Sequence, residues 1–438
     1  MIFFSTSKSS TPVSIKKATL EGLAPDGGLY VPSEVPRFSP EELSLLAEGT
    51  FNNIAFAIAR KFAGAEVPLD TLSKLIDDCY DFDTPLVEIG RETFVEELFH
   101  GPTLAFKDYG ARFLGRMTGF FAAEDNRMIT VLVATSGDTG SAVAYGFDGI
   151  PNTRVVLLYP SGKVSRLQEQ QLTTAGDNVF ALEVKGDFDD CQRLVKQAFV
   201  DPDLKRRLTL TSANSINISR LIPQSFYYAW ASMQLALRYP GRPALFSVPS
   251  GNYGNLTAGL LAKMMGFPIG HFVAASNAND SVTRYLDCGR FEPKPTVRTM
   301  TTAMDVGNPS NFARLLHFYD HDYRKMGEVI TGIAVSDDET ASTIRAAYEA
   351  SGYIMDPHTA VGYRALEEYR RSHEGEGFPG VVLSTAHPVK FDEAIMQAIG
   401  REVPIPEEML GIMAKPKRAT LIGNGYEELA GFLKNLDR

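Results

Sequence analysis

An α/β fold, with parallel sheets covered by helices on both faces, follows from three features of the chain. From residue 129 onward, short apolar runs alternate with stretches of helical periodicity, the order that parallel strands and crossover helices produce. The runs, such as Ile-Thr-Val-Leu-Val-Ala at 129–134, are nearly continuous in apolar character, as strands buried on both faces must be. The segments that follow several of these runs are rich in Gly, Ser, Thr and Asn. In open α/β sheets, ligands bind where such loops leave the carboxyl ends of strands.

Residues 1–95 read as a first unit. It opens on the turn-rich Gly22-Leu-Ala-Pro-Asp-Gly-Gly-Leu-Tyr-Val-Pro32, followed by helical patterns at 40–48, 51–62 and about 72–80. It holds no catalytic constellation and reads as a docking or capping layer. Then His100-Gly101-Pro102 makes a turn, and Phe106, Tyr109, Phe113, Met117 and Phe120 recur at helical spacing. Lys107 therefore falls in the first turn of a helix, where the free N–H groups disfavour a cation and push the ammonium toward the neutral amine. A neutral lysine amine forms a Schiff base with an aldehyde; the alternative is a solvated lysine near a helix end.

Strands are expected at 129–134, 154–159, 178–184 and 208–211, with a helix carrying Phe188, Cys191, Leu194, Val195, Ala198 and Phe199 between the third and fourth. The first loop, Ala134-Thr-Ser-Gly-Asp-Thr-Gly-Ser141, offers hydroxyls and exposed N–H groups to an anion such as a carboxylate. Asp138 or Thr139 is equally readable as a helix N-cap. In the second and third loops, Lys163 together with Asn214, Ser215 and Arg220 form a candidate phosphate site, against ordinary capping and two surface charges. The fourth, Pro249-Ser-Gly-Asn-Tyr-Gly-Asn255, lies between a strand at 244–248 and a helix at 256–265. It lacks both the Gly-x-Gly-x-x-Gly spacing and the P-loop ending, so it reads as a phosphate cup for a different cofactor. Farther on, Met355-Asp-Pro-His-Thr-Ala-Val-Gly362 opens a helix, with His358 a structural hydrogen bonder, and Val381-Val-Leu-Ser-Thr-Ala-His-Pro388 ends a strand that Pro388 stops, which leaves Ser384, Thr385 and His387 near the sheet edge.

At 438 residues, with 44% hydrophobic and 22% charged content, the chain is long enough for two or three domains. A net charge of −10 argues against nucleic acid or an anionic membrane as partner. Three cysteines without paired spacing indicate reduced thiols. No metal-ligand cluster, signal core or membrane span is visible, and a cytoplasmic location is expected.

His100-Gly-Pro-Thr-Leu-Ala-Phe-Lys-Asp, Thr-Ser-Gly-Asp-Thr-Gly-Ser, Gly-Asn-Tyr-Gly-Asn and Asp-Pro-His-Thr-Ala-Val-Gly, with the opening Gly22 to Pro32 segment, together resemble the threonine synthases of the bacterial and fungal type. The resemblance covers nearly the whole chain. It implies a fold-type II pyridoxal-phosphate enzyme, similar to the tryptophan synthase β-subunit: two domains plus an N-terminal segment, divided at 95/96, with a smaller α/β subdomain at about 130–213. It also implies a reaction converting O-phospho-L-homoserine and water to L-threonine and phosphate. Lys107 resembles the lysine that carries pyridoxal 5'-phosphate and then acts as base and acid. Gly251, Asn252, Tyr253, Gly254 and Asn255 resemble the cup for the cofactor phosphate, and Thr385 the partner of the pyridine nitrogen. Thr135, Ser136 and Thr139 look like binders of the substrate carboxylate; Lys163, Asn214, Ser215 and Arg220 like those of its phosphate. Asp138 stands where the wider fold type commonly has an asparagine beside the cofactor phenolate. A monomer or homodimer is expected; a serine or threonine dehydratase of the same fold, or a non-catalytic cofactor-binding paralogue, are the alternatives.

Overall fold

A computed structural model describes residues 1–375 and 377–436. In chain order the strands are β1 (Ile2–Ser5), β2 (Val13–Ser14), β3 (Tyr30–Pro32), β4 (Leu86–Gly90), β5 (Thr93–Glu97), β6 (Ile129–Ala134), β7 (Thr153–Pro160), β8 (Val179–Val184), β9 (Thr209–Thr211), β10 (Ala244–Pro249), β11 (Ile269–Ser276), β12 (Ile330–Ala334), β13 (Gly380–Ser384) and β14 (Thr420–Ile422). They form three sheets. A small antiparallel one has the order β2-β1-β3; a larger one runs β12-β11-β10-β13-β5-β4, and a third β14-β8-β7-β6-β9. The third is parallel throughout, and the larger is parallel except where β4 meets β5.

The central strands of these two sheets arise where the sequence is nearly continuous in apolar residues. All six residues of β10 are buried, so both its faces need a helical cover. The helix Phe188–Val200 supplies cover for the third sheet: Asp187 caps it by accepting from the Asp190 N–H, and Cys191, Leu194 and Ala198 turn inward against Leu158 and Leu182. The expected strands and the helices after residue 40 stand within a few residues of their forecast limits.

Three features depart from expectation. The 95/96 division falls inside β5, which pairs with both β4 and β13 and belongs to the larger sheet. The strand before His387 stops at Ser384, and Pro388 begins a separate short 3-10 turn, Pro388–Phe391. The chain also returns to the third sheet near its end, where β14 pairs with β8. The N-terminal unit is packed into the core: Ile54, Ile58, Phe62, Leu72 and Ile76 share one apolar cluster with Tyr109 and Phe113 of the helix Lys107–Glu124. Arg314, fully buried, donates to the carbonyls of Tyr30 (3.0 Å) and Ile216 (2.6 Å) and to Asn311 Oδ1 (2.6 Å), tying the N-terminal sheet to the loop ahead of Arg220.

Candidate active site

Lys107 is the first residue of its helix. What fixes that start is the preceding turn. Asp108 is buried and accepts from the Thr103 N–H (2.9 Å) and Thr103 Oγ1 (2.7 Å). Gly101 lies so close that a Cβ there would stand 2.5 Å from Asp108 Oδ2. Burial pushes the Asp108 carboxyl up to about 6 even though both Thr103 bonds oppose it. The Phe106 N–H donates to the Thr385 carbonyl (2.9 Å) and the His387 N–H to the Leu104 carbonyl (3.0 Å). The lysine and the strand end carrying Thr385 are thereby laced together, although 278 residues separate them in sequence.

Beside the amine stands Asp138, the first residue of the helix Asp138–Phe147. The N-cap is Gly137, at φ 138°, where a Cβ would meet the Gln168 amide at 2.5 Å; the alternative of capping by Asp138 or Thr139 gives way to a turn only glycine fits. The Asp138 carboxylate receives Lys107 Nζ at 3.5 Å on one oxygen, and Lys390 Nζ and Gln168 Nε2, both at 3.0 Å, on the other. Burial opposes its ionisation, but Lys390 and Lys107 outweigh that and hold the carboxyl far below the usual range. Burial lowers Lys107; Asp138 opposes this, while Lys390 and Arg220 add to it. Lys390 was not foreseen: its only signal in the sequence is a lysine among Pro388, Val389 and Phe391.

The other candidates fall into two groups. At the start of the helix Gly254–Met265, Tyr253 adopts φ 59°, and a Cβ on Gly251 would stand 2.7 Å from Met304 Cα. Among the described residues, the backbone N–H groups of 251–255 find no partner, and the buried Asn255 Nδ2 also has none, although Asn255 Oδ1 accepts from Tyr227 (2.6 Å) and Tyr228 (2.7 Å). Such a nest of free donors at a helix start fits a phosphate. Asn252 Nδ2 donates to Ser215 Oγ at 2.6 Å, joining this cup to the loop of Asn214 and Arg220. Arg220 is buried, donates through Nη1 to the Ala213 carbonyl (2.5 Å) and leaves Nε without a partner.

Two expectations are not matched so directly. The Thr135 hydroxyl is spent inside its own loop, accepting from the N–H groups of Gly137 (3.0 Å) and Gly140 (2.8 Å), while Ser136 is exposed and Thr139 half-buried. Lys163 is exposed, and among the described residues no hydrogen bond or ion pair joins it to Asn214, Ser215 or Arg220. His358 is the structural group expected of it, its Nδ1 lying 3.0 Å from Asp356, which caps the helix Pro357–Ser372.

Comparison with known proteins decides the lineage. Residues 80–385 match the family described as pyridoxal-phosphate dependent enzyme, 2–80 the threonine synthase N terminus and 359–432 the threonine synthase C-terminal family. A threonine synthase of Serratia marcescens is 43% identical, covering 97% of each chain. The chain belongs to the threonine synthase family. Among solved structures, the PLP-bound threonine synthase from Brucella melitensis superimposes with a TM-score of 0.95 at 35% identity, covering 100% of both chains. That from yeast gives 0.92 at 34%, covering 99% of this chain and 98% of the other. The fold is thus that of the fold-type II pyridoxal-phosphate enzymes, the cofactor is pyridoxal 5'-phosphate, and the activity is that of a PLP-dependent lyase of this family. Among the described residues, no helix is long and apolar enough to cross a membrane.

Proposed function

We propose that the chain converts O-phospho-L-homoserine and water to L-threonine and phosphate, acting as a carbon–oxygen lyase on a phosphorylated substrate. The observation that carries this reading is a mostly buried lysine amine set against an ionised carboxylate, with a donor-lined phosphate cup and a second, arginine-bearing loop joined by the Asn252–Ser215 bond.

In this reading Lys107 would carry the cofactor, residues Gly251, Asn252, Tyr253, Gly254 and Asn255 would hold its phosphate, Thr385 would serve its ring nitrogen, and Asp138 would serve its phenolic oxygen. When bound, the cofactor supplies an electron sink that makes the substrate Cα–H acidic. The Lys107 amine is the group that takes and returns protons at the substrate carbons, a role served by its lowered basicity. Thr135, Ser136 and Thr139 present the substrate carboxylate to the start of the helix Asp138–Phe147, with Thr135 acting through the loop it braces. Arg220, Asn214 and Ser215 take the charge that develops as phosphate departs, and Lys163 contributes from the rim. We further read the chain as a cytoplasmic monomer or homodimer, with an N-terminal unit that ends ahead of β4 and a smaller subdomain built on the third sheet.

Lys107→Ala tests the assignment. The variant is expected to melt like the parent, to lose the covalently held yellow cofactor and to lose turnover by more than a thousandfold. Turnover within tenfold of the parent would sink it.

A further inference from the structure

Lys390, the partner of Asp138, has no role in the reaction as set out above, yet its burial is costly. The Lys390 side chain is wholly shielded from solvent, and its ammonium meets Asp138 Oδ1 at 3.0 Å. Burying a cation requires a partner, and the turn Pro388–Phe391 is braced to deliver it: the His387 ring accepts from the Val389 N–H (3.1 Å), and the Lys390 N–H returns to the His387 carbonyl (3.1 Å). Asp138 thus lies between two amines, with Lys390 and Gln168 on one oxygen and Lys107, at 3.5 Å, on the other.

We propose that Lys390 is a positioning residue for Lys107: by pairing with Asp138 it fixes that carboxylate and balances its charge across from the reactive amine. The inference rests on Lys107 being the reactive amine. A bare carboxylate 3.5 Å away would favour the ammonium form of Lys107 and work against the neutral amine that the chemistry needs. Lys390 removes that bias in two ways, by neutralising Asp138 and by repelling a second cation. An aspartate at this position and a buried lysine on a distant turn are therefore two halves of one device. The charged groups that face Lys107 are Asp138 from the next helix, Lys390 from the turn and Arg220 from the helix Ile218–Leu221. Asp108 follows on its own helix and interacts with Lys390 and Arg220, and His387 precedes Lys390 on the turn.

The test is made on cofactor-free protein, so its result does not depend on turnover or on the assignment of substrate. Lys107 is labelled with acetic anhydride from pH 6 to 10, and the midpoint of its reactivity is read by mass spectrometry. K390M is expected to raise that midpoint by about one pH unit or more, K390R to leave it within 0.3 unit or about, and D138N to lower it. In K390M/D138N the rise should be largely cancelled, the non-additivity expected of groups in contact. A K390M midpoint equal to the parent's, or K390R shifting as far as K390M, overturns the proposal. Should K390M fail to fold by circular dichroism, D138N decides: a midpoint that does not fall overturns it equally.

Discussion

Glu96 offers a quantitative test of how the larger sheet is built. It lies in β5 opposite Leu86 and Leu383, is wholly buried, and among the described residues neither carboxyl oxygen has a hydrogen-bond partner. Burial alone holds its carboxyl well above the ordinary value of 4.5. The groups that feel its charge are Tyr109, Tyr227 and Tyr228, whose own hydroxyls burial pushes well above their usual range. The folded chain therefore keeps a proton that the unfolded chain releases above pH 4.5. Between that value and the folded pKa the native state binds more protons, so stability falls as pH rises, by about 1.4 kcal/mol per pH unit. Glu96→Gln keeps the shape and neutrality of the protonated acid but has no proton to lose. Its advantage over the parent is expected to grow with that slope, to about 3 kcal/mol at pH 7 if the folded pKa has not been passed. The assay is urea unfolding from pH 5 to 8 followed by fluorescence of Trp230, the chain's single tryptophan, whose indole donates to the Thr84 carbonyl (3.1 Å) near this cluster. Parallel stability curves for the two proteins would refute the reasoning.

Two more substitutions probe the site itself. Arg220→Ala should lower kcat/KM for O-phospho-L-homoserine by about tenfold to a hundredfold, the worth of one charge-assisted contact, while cofactor affinity measured by absorbance changes little; equal losses would remove Arg220 from the phosphate site. Gly137→Ala places a Cβ against Gln168 at φ 138°. It should cost about 1–3 kcal/mol in thermal unfolding and displace Asp138, so a parent-like melting temperature with full activity counts against that geometry.

What was legible in the sequence follows burial. β6 and β10 could be read because strands covered on both faces are apolar at nearly every position. β5 could not, because Thr-Phe-Val-Glu-Glu looks half-exposed and conceals a buried acid. β14 escaped notice as a three-residue edge strand with two exposed positions. Lys107 stood out because a cation at a helix start is electrostatically odd. Lys390 carries no such local mark, and its meaning comes from Asp138, 252 residues away. The hydroxyls of the 134–141 loop show a related limit: residue type announced an anion site, but only the folded loop reveals that Thr135 braces the turn from within.

The most direct test of the account is the product balance after mixing cofactor-loaded protein with O-phospho-L-homoserine, phosphate and amino acid being measured in the same sample. Threonine and phosphate in equal amounts are predicted. Phosphate accompanied by a keto acid, or no turnover with the yellow cofactor retained, would contradict it.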